Sequence, residues 1–169
     1  LEQYALVLEE QAEQDDAIDA VLEIAKSNEE LRLDAATLLE PVLSELCRFE
    51  ALVEVMSLRL SAQTDMTERV QTLKGIALVA EEQLDDPKEA RAQLLQALAE
   101  CADSDPIHDD IARLCELIED FRPYADALSR IAEDTYDAVL QSELYERLGL
   151  IAEEELEDLP LAIEAYQKA

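Results

Sequence analysis

The stretch Leu73-Lys74-Gly75-Ile76-Ala77-Leu78-Val79-Ala80-Glu81-Glu82-Gln83 is written three times in this chain, and that recurrence limits the fold more than any other feature. Residues 1–11 (LEQYALVLEEQ) match it at seven of eleven positions, and residues 145–155 (YERLGLIAEEE) match it at four, with apolar exchanges at most of the rest. Both copies lie 72 residues away, and Phe49 and Phe121 share the same spacing, so the intervening segments repeat too. Such periodicity marks a unit that cannot bury its apolar face alone and does so against its neighbours.

The repeating unit reads as helix. The chain holds two glycines and few aromatics among abundant Ala, Leu and Glu, a composition that favours helix and predicts no sheet. Leu1, Tyr4, Ala5, Leu8 and Ala12 recur at spacings of three and four, predicting a helix to about Glu13. Ala17 to Lys26 follows, with Ile18, Val21, Leu22 and Ala25 inward. The next runs from Glu29 to Leu46, and Pro41, which lacks the amide for the residue four back, predicts a kink or split near Leu39-Glu40. Phe49 to about Ser61 turns Leu52, Val53, Met56 and Leu60 inward.

Thr64-Asp65 caps a long helix from Met66 to about Leu84, and Pro87 sits at the first turn of a helix to about Ala102. Ile107 to Glu119, Phe121 to Glu133, Tyr136 to Glu157 and a last segment opening at Leu159-Pro160 complete ten predicted helices. Four helices fill 72 residues, so the elementary unit is a helix pair of about 36 residues. The expected hairpins are 1–26, 29–61, 66–102, 107–133 and 137–169, forming a single array over 1–169. Both ends fall inside helical patterns, which predicts that the natural termini lie beyond them. It also predicts exposed apolar surface at the ends and end-to-end self-association.

Charge narrows the function. Forty-two acidic against 13 basic residues leave a net charge of −29, which argues against nucleic acid and anionic membrane surfaces, both of which demand Lys and Arg. With 49% hydrophobic residues the chain is not disordered, so the charge lies on solvated helix faces. Its self-repulsion predicts stabilisation by salt. The charge fits either salt adaptation or a basic partner. No signal peptide or membrane span is evident, and three cysteines, Cys47, Cys101 and Cys115, sit in apolar helical patterns, predicting buried free thiols in a reducing, cytoplasmic compartment.

No reaction chemistry is legible. The run from Asp103 to Asp110 has the oxygens of a calcium loop's start but not its central glycine or distant glutamate, so capping is the simpler reading. His108 lies between Cys101 and Cys115 without the paired spacing of a zinc site, and is expected exposed on a first helical turn. Glu81-Glu82 and Glu153-Glu154 repeat as a common surface rather than as acid and base. Neither a nucleophile motif nor a phosphate-binding or cofactor signature occurs, so no catalysis, metal or cofactor is expected.

The residues resemble the tetratricopeptide repeat, and look like its divergent copies in long bacterial repeat proteins. Leu148-Gly149 and Ala152 followed by Ala162, Tyr166 and Ala169 carry the resemblance best. Ile76-Ala77 and Ala80 with Ala90, Leu94 and Ala97 match, as do Tyr4-Ala5 and Leu8 with Ala17, Val21 and Ile24. Ile111-Ala112 and Cys115 with Tyr124, Leu128 and Ile131 form a more degenerate copy. Short residues such as Gly149 and Ala77 admit a neighbouring helix at about 8–10 Å.

The resemblance implies an all-α, right-handed α-solenoid of stacked antiparallel hairpins whose first helices line a concave groove for peptides. Carried over position by position, that groove comprises Gln71, Lys74, Leu78, Glu81 and Glu82; Asp109, Arg113 and Glu116; and Glu143, Glu146, Leu150, Glu153 and Glu154. Such a surface is acidic with isolated leucines, so the implied partner is a basic protein segment on a scaffold. The alternatives are a structural spacer without a groove ligand and a regulatory or chaperone-like adaptor module.

Overall fold

The computed structural model describes residues 14–169; the first predicted helix, with Tyr4, Ala5 and Leu8, lies outside the described residues. Among the described residues all regular structure is helical, in nine α-helices joined by short loops. They fall into two compact units, residues 14–86 and 87–169. The division lies inside the expected 66–102 hairpin.

Unit 1 contains α1 (Gln14–Ser27), a single 3₁₀ turn (Glu29–Leu31), α2 (Arg32–Glu45), α3 (Phe49–Ala62) and α4 (Met66–Glu82). Asn28 and Asp65 are in extended conformation, and their side chains accept from the amides of Glu30 (3.1 Å) and Glu68 (3.0 Å), satisfying donors that a helix start leaves free. The expected Glu29–Leu46 helix thus begins as a tighter turn before α2. Pro41 does not split α2, which continues four residues beyond it. Its core joins Ile18, Val21 and Ala25 of α1 to Ala35, Ala36, Leu39 and Leu43 of α2, Leu52, Val55 and Met56 of α3, and Ile76 of α4. Alanines at Ala35 and Ala36 let α2 lie close to its neighbours.

Unit 2 contains α5 (Pro87–Glu100), α6 (Asp105–Ile118), α7 (Arg122–Asp134), α8 (Ala138–Glu154) and α9 (Leu159–Lys168). α5 packs closely on α6, α7 on α8 and α8 on α9, while α6 and α7 touch more sparingly. Short loops between packed neighbours make them antiparallel. Leu98, Ile107, Ile111, Leu114, Leu128 and Leu144 are fully buried. α9 leaves Leu159 and Ile163 exposed.

The 72-residue period is written into the backbone as well as the sequence. α4 and α8 have the same length and equivalent bounds, and Asp65 and Asp137 cap them alike. Among the described residues four non-glycine positions have positive φ, and they form two pairs at that spacing: Cys47 (54°) with Glu119 (57°), and Asp85 (53°) with Glu157 (52°). Arg48 N donates to Leu43 O at 2.9 Å as Asp120 N does to Cys115 O at 3.0 Å, the closing bond of a helix that ends in a left-handed residue. Asp86 N to Ala80 O and Asp158 N to Ala152 O are both 2.8 Å. The first described helix of each unit, α1 and α5, therefore opens within one residue of the same phase of the period.

The small residues do what the sequence pattern suggested. A Cβ built on Gly149 would stand 2.7 Å from Cδ1 of Tyr166, so the glycine makes room for the ring of α9. The pattern missed Gly75, where a Cβ would meet the terminal methyl of Met56 at 2.7 Å.

Candidate binding clefts

Each unit has a cleft at the same place, between the turn that follows its second helix and the C-terminal end of its fourth. In unit 1 Ser44, Phe49, Leu52, Leu78, Val79, Glu82 and Gln83 line a space of about 290 Å³. In unit 2 Glu116, Glu119, Asp120, Phe121, Glu155 and Leu156 line one of about 400 Å³. The left-handed turns at Cys47 and Glu119 reverse the chain and set Phe49 and Phe121, both half-buried, at equivalent positions in the two clefts.

Of the thirteen groove residues read from the sequence, Leu78 and Glu82 join the first cleft and Glu116 the second. Gln71, Lys74 and Glu81 stand elsewhere on α4, and Asp109 and Arg113 elsewhere on α6. Glu143, Glu146, Leu150, Glu153 and Glu154 are exposed on α8. Glu153 accepts from the Tyr166 hydroxyl at 3.0 Å, and Glu143 borders a recess of about 30 Å³ beside His108 and Arg147. Phe49 and Phe121, which sequence reasoning used only as markers of the period, are the aromatic residues of the clefts. Their recurrence at 72 residues was the signal available.

An ion pair recurs at the same place in each unit with its charges exchanged. Arg48 of unit 1 reaches Asp15 at 3.1 Å and Asp19 at 4.0 Å. At the equivalent positions of unit 2, Arg91 takes the place of Asp19 and Asp120 the place of Arg48, and the two meet at 3.0 Å. Arg91 also donates to the Asp120 carbonyl. The Arg91 side chain is nearly buried, so its bonds replace water that it has lost.

Other polar contacts belong to one unit only. Arg59 donates to Glu40 (2.8 Å) and Thr72 (3.0 Å), and Thr72 to Gln63 (2.9 Å), tying α2, α3 and α4 together. Burial raises the Glu40 pKa against the opposing pull of Arg59. Ala112, Ile131 and Leu144 occupy the equivalent positions of Glu40, Arg59 and Thr72 in unit 2, an apolar solution to the same junction.

His108 corrects the sequence expectation of an exposed residue. It is 3% exposed, with Nε2 2.9 Å from the Ala102 carbonyl and Nδ1 2.6 Å from the Tyr124 hydroxyl. A carbonyl only accepts, so Nε2 carries the proton and Nδ1 accepts from Tyr124. Arg147 stands near enough to oppose the rise that burial gives the Tyr124 hydroxyl pKa, and reaches Asp105 at 3.2 Å. Burial lowers the His108 pKa, and Arg147 adds to the effect, against the Ala102 carbonyl and the Asp105 and Asp109 carboxylates. Helical periodicity placed His108 in a first turn but not against the tyrosine 16 residues on.

The cysteines divide. Cys115 is buried and burial raises its pKa, as expected; Cys101 is half-buried, and Cys47 is exposed because it occupies the left-handed turn rather than a helix face. Among the described residues no three His, Cys, Asp or Glu side chains converge on a metal position, and no helix is long and apolar enough to cross a membrane.

No protein-family model, curated protein or solved structure matches this chain.

Proposed function

We propose that this protein is an interaction scaffold of tetratricopeptide-like helix pairs whose paired clefts receive segments of protein partners. The observation that carries the reading is the recurrence of one cleft, with a half-buried phenylalanine at the same position, in both units. Phe49 packs in part against the core of unit 1 and turns the rest of its ring to the cleft, and an aromatic residue so held supplies large contact area at small entropic cost. The acidic surface supports basic partners, because complementary charge speeds encounter and suppresses wrong pairings.

The test is selection of peptides from a random displayed library on the intact chain, followed by photo-crosslinking of those selected. Crosslinks at Phe49, Leu78, Phe121 or Leu156 are expected. Crosslinks confined to other surfaces, or no selected peptide at physiological salt, would overturn the reading.

A further inference from the structure

The two clefts share a frame and differ at the rim. Phe49 corresponds to Phe121 and Leu84 to Leu156, yet each acidic residue lining the unit 2 cleft has a non-acidic counterpart in unit 1. Glu116 stands for Ser44, Glu119 for Cys47, Asp120 for Arg48 and Glu155 for Gln83. Asp120 is engaged by Arg91, while Glu116, Glu119 and Glu155 are exposed around Phe121, and no basic side chain lines the space. The unit 1 cleft has Phe49, Leu52, Leu78 and Val79 with one carboxylate, Glu82.

Resting on the reading of these clefts as binding sites, we infer that the unit 2 cleft selects a lysine or arginine side chain presented by a protein segment. The alkyl stem lies along Phe121 and Leu156, where its burial is favourable, and the cationic head remains hydrated among Glu116, Glu119 and Glu155. In unit 1 the same cation would lose water against four apolar side chains and meet one carboxylate, so that cleft has no such preference. The chain thus carries its own control.

The experiment titrates the intact, ¹⁵N-labelled chain with acetyl-Leu-Lys-Leu-Lys-amide and with its norleucine-for-lysine counterpart, and follows amide shifts at both clefts. The lysine peptide should move Asp120, Phe121 and Leu156, binding there at least tenfold more tightly than the norleucine peptide. Glu116→Ser with Glu155→Gln, which installs the unit 1 residues at exposed sites, should abolish that preference. Ser44→Glu with Gln83→Glu should create one at Arg48 and Phe49. Equal binding of the two peptides in the unit 2 cleft, or a preference untouched by the double substitution, would overturn the inference while leaving the clefts as binding sites. If 1,5-diaminopentane displaces the lysine peptide at equal concentration, the site reads a free diamine and the protein-segment assignment is wrong. Shifts at neither cleft would overturn both this inference and the scaffold reading.

Discussion

Gly149 of α8 lies beneath the ring of Tyr166 of α9, so closely that no other residue fits without moving the ring. Gly75, also in the interior of a fourth helix, faces only the flexible end of Met56. The two glycines therefore respond to alanine with opposite signs. Gly75→Ala should stabilise unit 1 by about 0.5–1 kcal/mol, because alanine costs less backbone entropy in a helix and Met56 can yield. Gly149→Ala should destabilise unit 2, with loss of the Tyr166–Glu153 hydrogen bond. Urea unfolding of both variants, with tyrosine fluorescence, measures the contrast.

The exchanged ion pairs differ in burial, and so in consequence. Arg91→Ala should cost about 2 kcal/mol, because a nearly buried guanidinium and its charged bonds are lost together. Arg48→Ala should cost under about 1 kcal/mol, since both its carboxylate partners are exposed. Arg91→Asp with Asp120→Arg reproduces the unit 1 arrangement and should recover most of the loss. A double-mutant cycle in urea decides it, and a swap no better than Arg91→Asp alone would show that the pair does not act as a unit.

His108 predicts an acid response confined to unit 2. Its folded pKa lies below the ordinary value near 6.5, so the unfolded chain takes up the proton first as pH falls. The stabilisation is present in full above about pH 6.5 and declines as pH drops from there through the folded pKa. Relief of carboxylate repulsion acts the other way but equally in the His108→Gln variant, whose amide can keep both bonds. The stability difference between the native chain and that variant should therefore fall from pH 7.5 to pH 5. As the chain has one histidine, its Cε1 proton resonance reports the pKa directly.

Glu119 and Glu157 hold left-handed backbone that glycine adopts without penalty. Glu119→Gly should stabilise the folded chain by about 1 kcal/mol, less the extra freedom glycine gives the unfolded chain. Asp85→Gly should gain less, because aspartate enters this region more readily than glutamate. Thermal melts at fixed pH and salt compare the two variants.

The helices were legible because their apolar spacing and their Asp, Asn and Pro punctuation agree at nearly every boundary. Helix ends drifted by one to three residues where the stop was a left-handed turn, as at Glu119, since glutamate there gives no sequence warning. The clefts were half legible. Leu78, Glu82 and Glu116 came from a repeat position, whereas Glu119, Phe121 and Glu155 gather only when a turn is folded beside the end of a helix 36 residues away. His108 failed for a related reason: its partners are a carbonyl and a tyrosine, and neither leaves a spacing pattern. Cys47 falls between the predicted helices ending at Leu46 and opening at Phe49, and the flanking apolar pattern does not show that it takes the left-handed turn that exposes it.

The opposite polarity of the Asp19–Arg48 and Arg91–Asp120 pairs has a consequence for assembly. Two modules of one architecture in one chain invite a first helix to dock on the wrong partner while both are folding. Here α1 docked in place of α5 would set Asp19 against Asp120, and α5 in place of α1 would set Arg91 against Arg48. Each trespass meets like charge, so a one-bit electrostatic address tells two copies of one architecture apart.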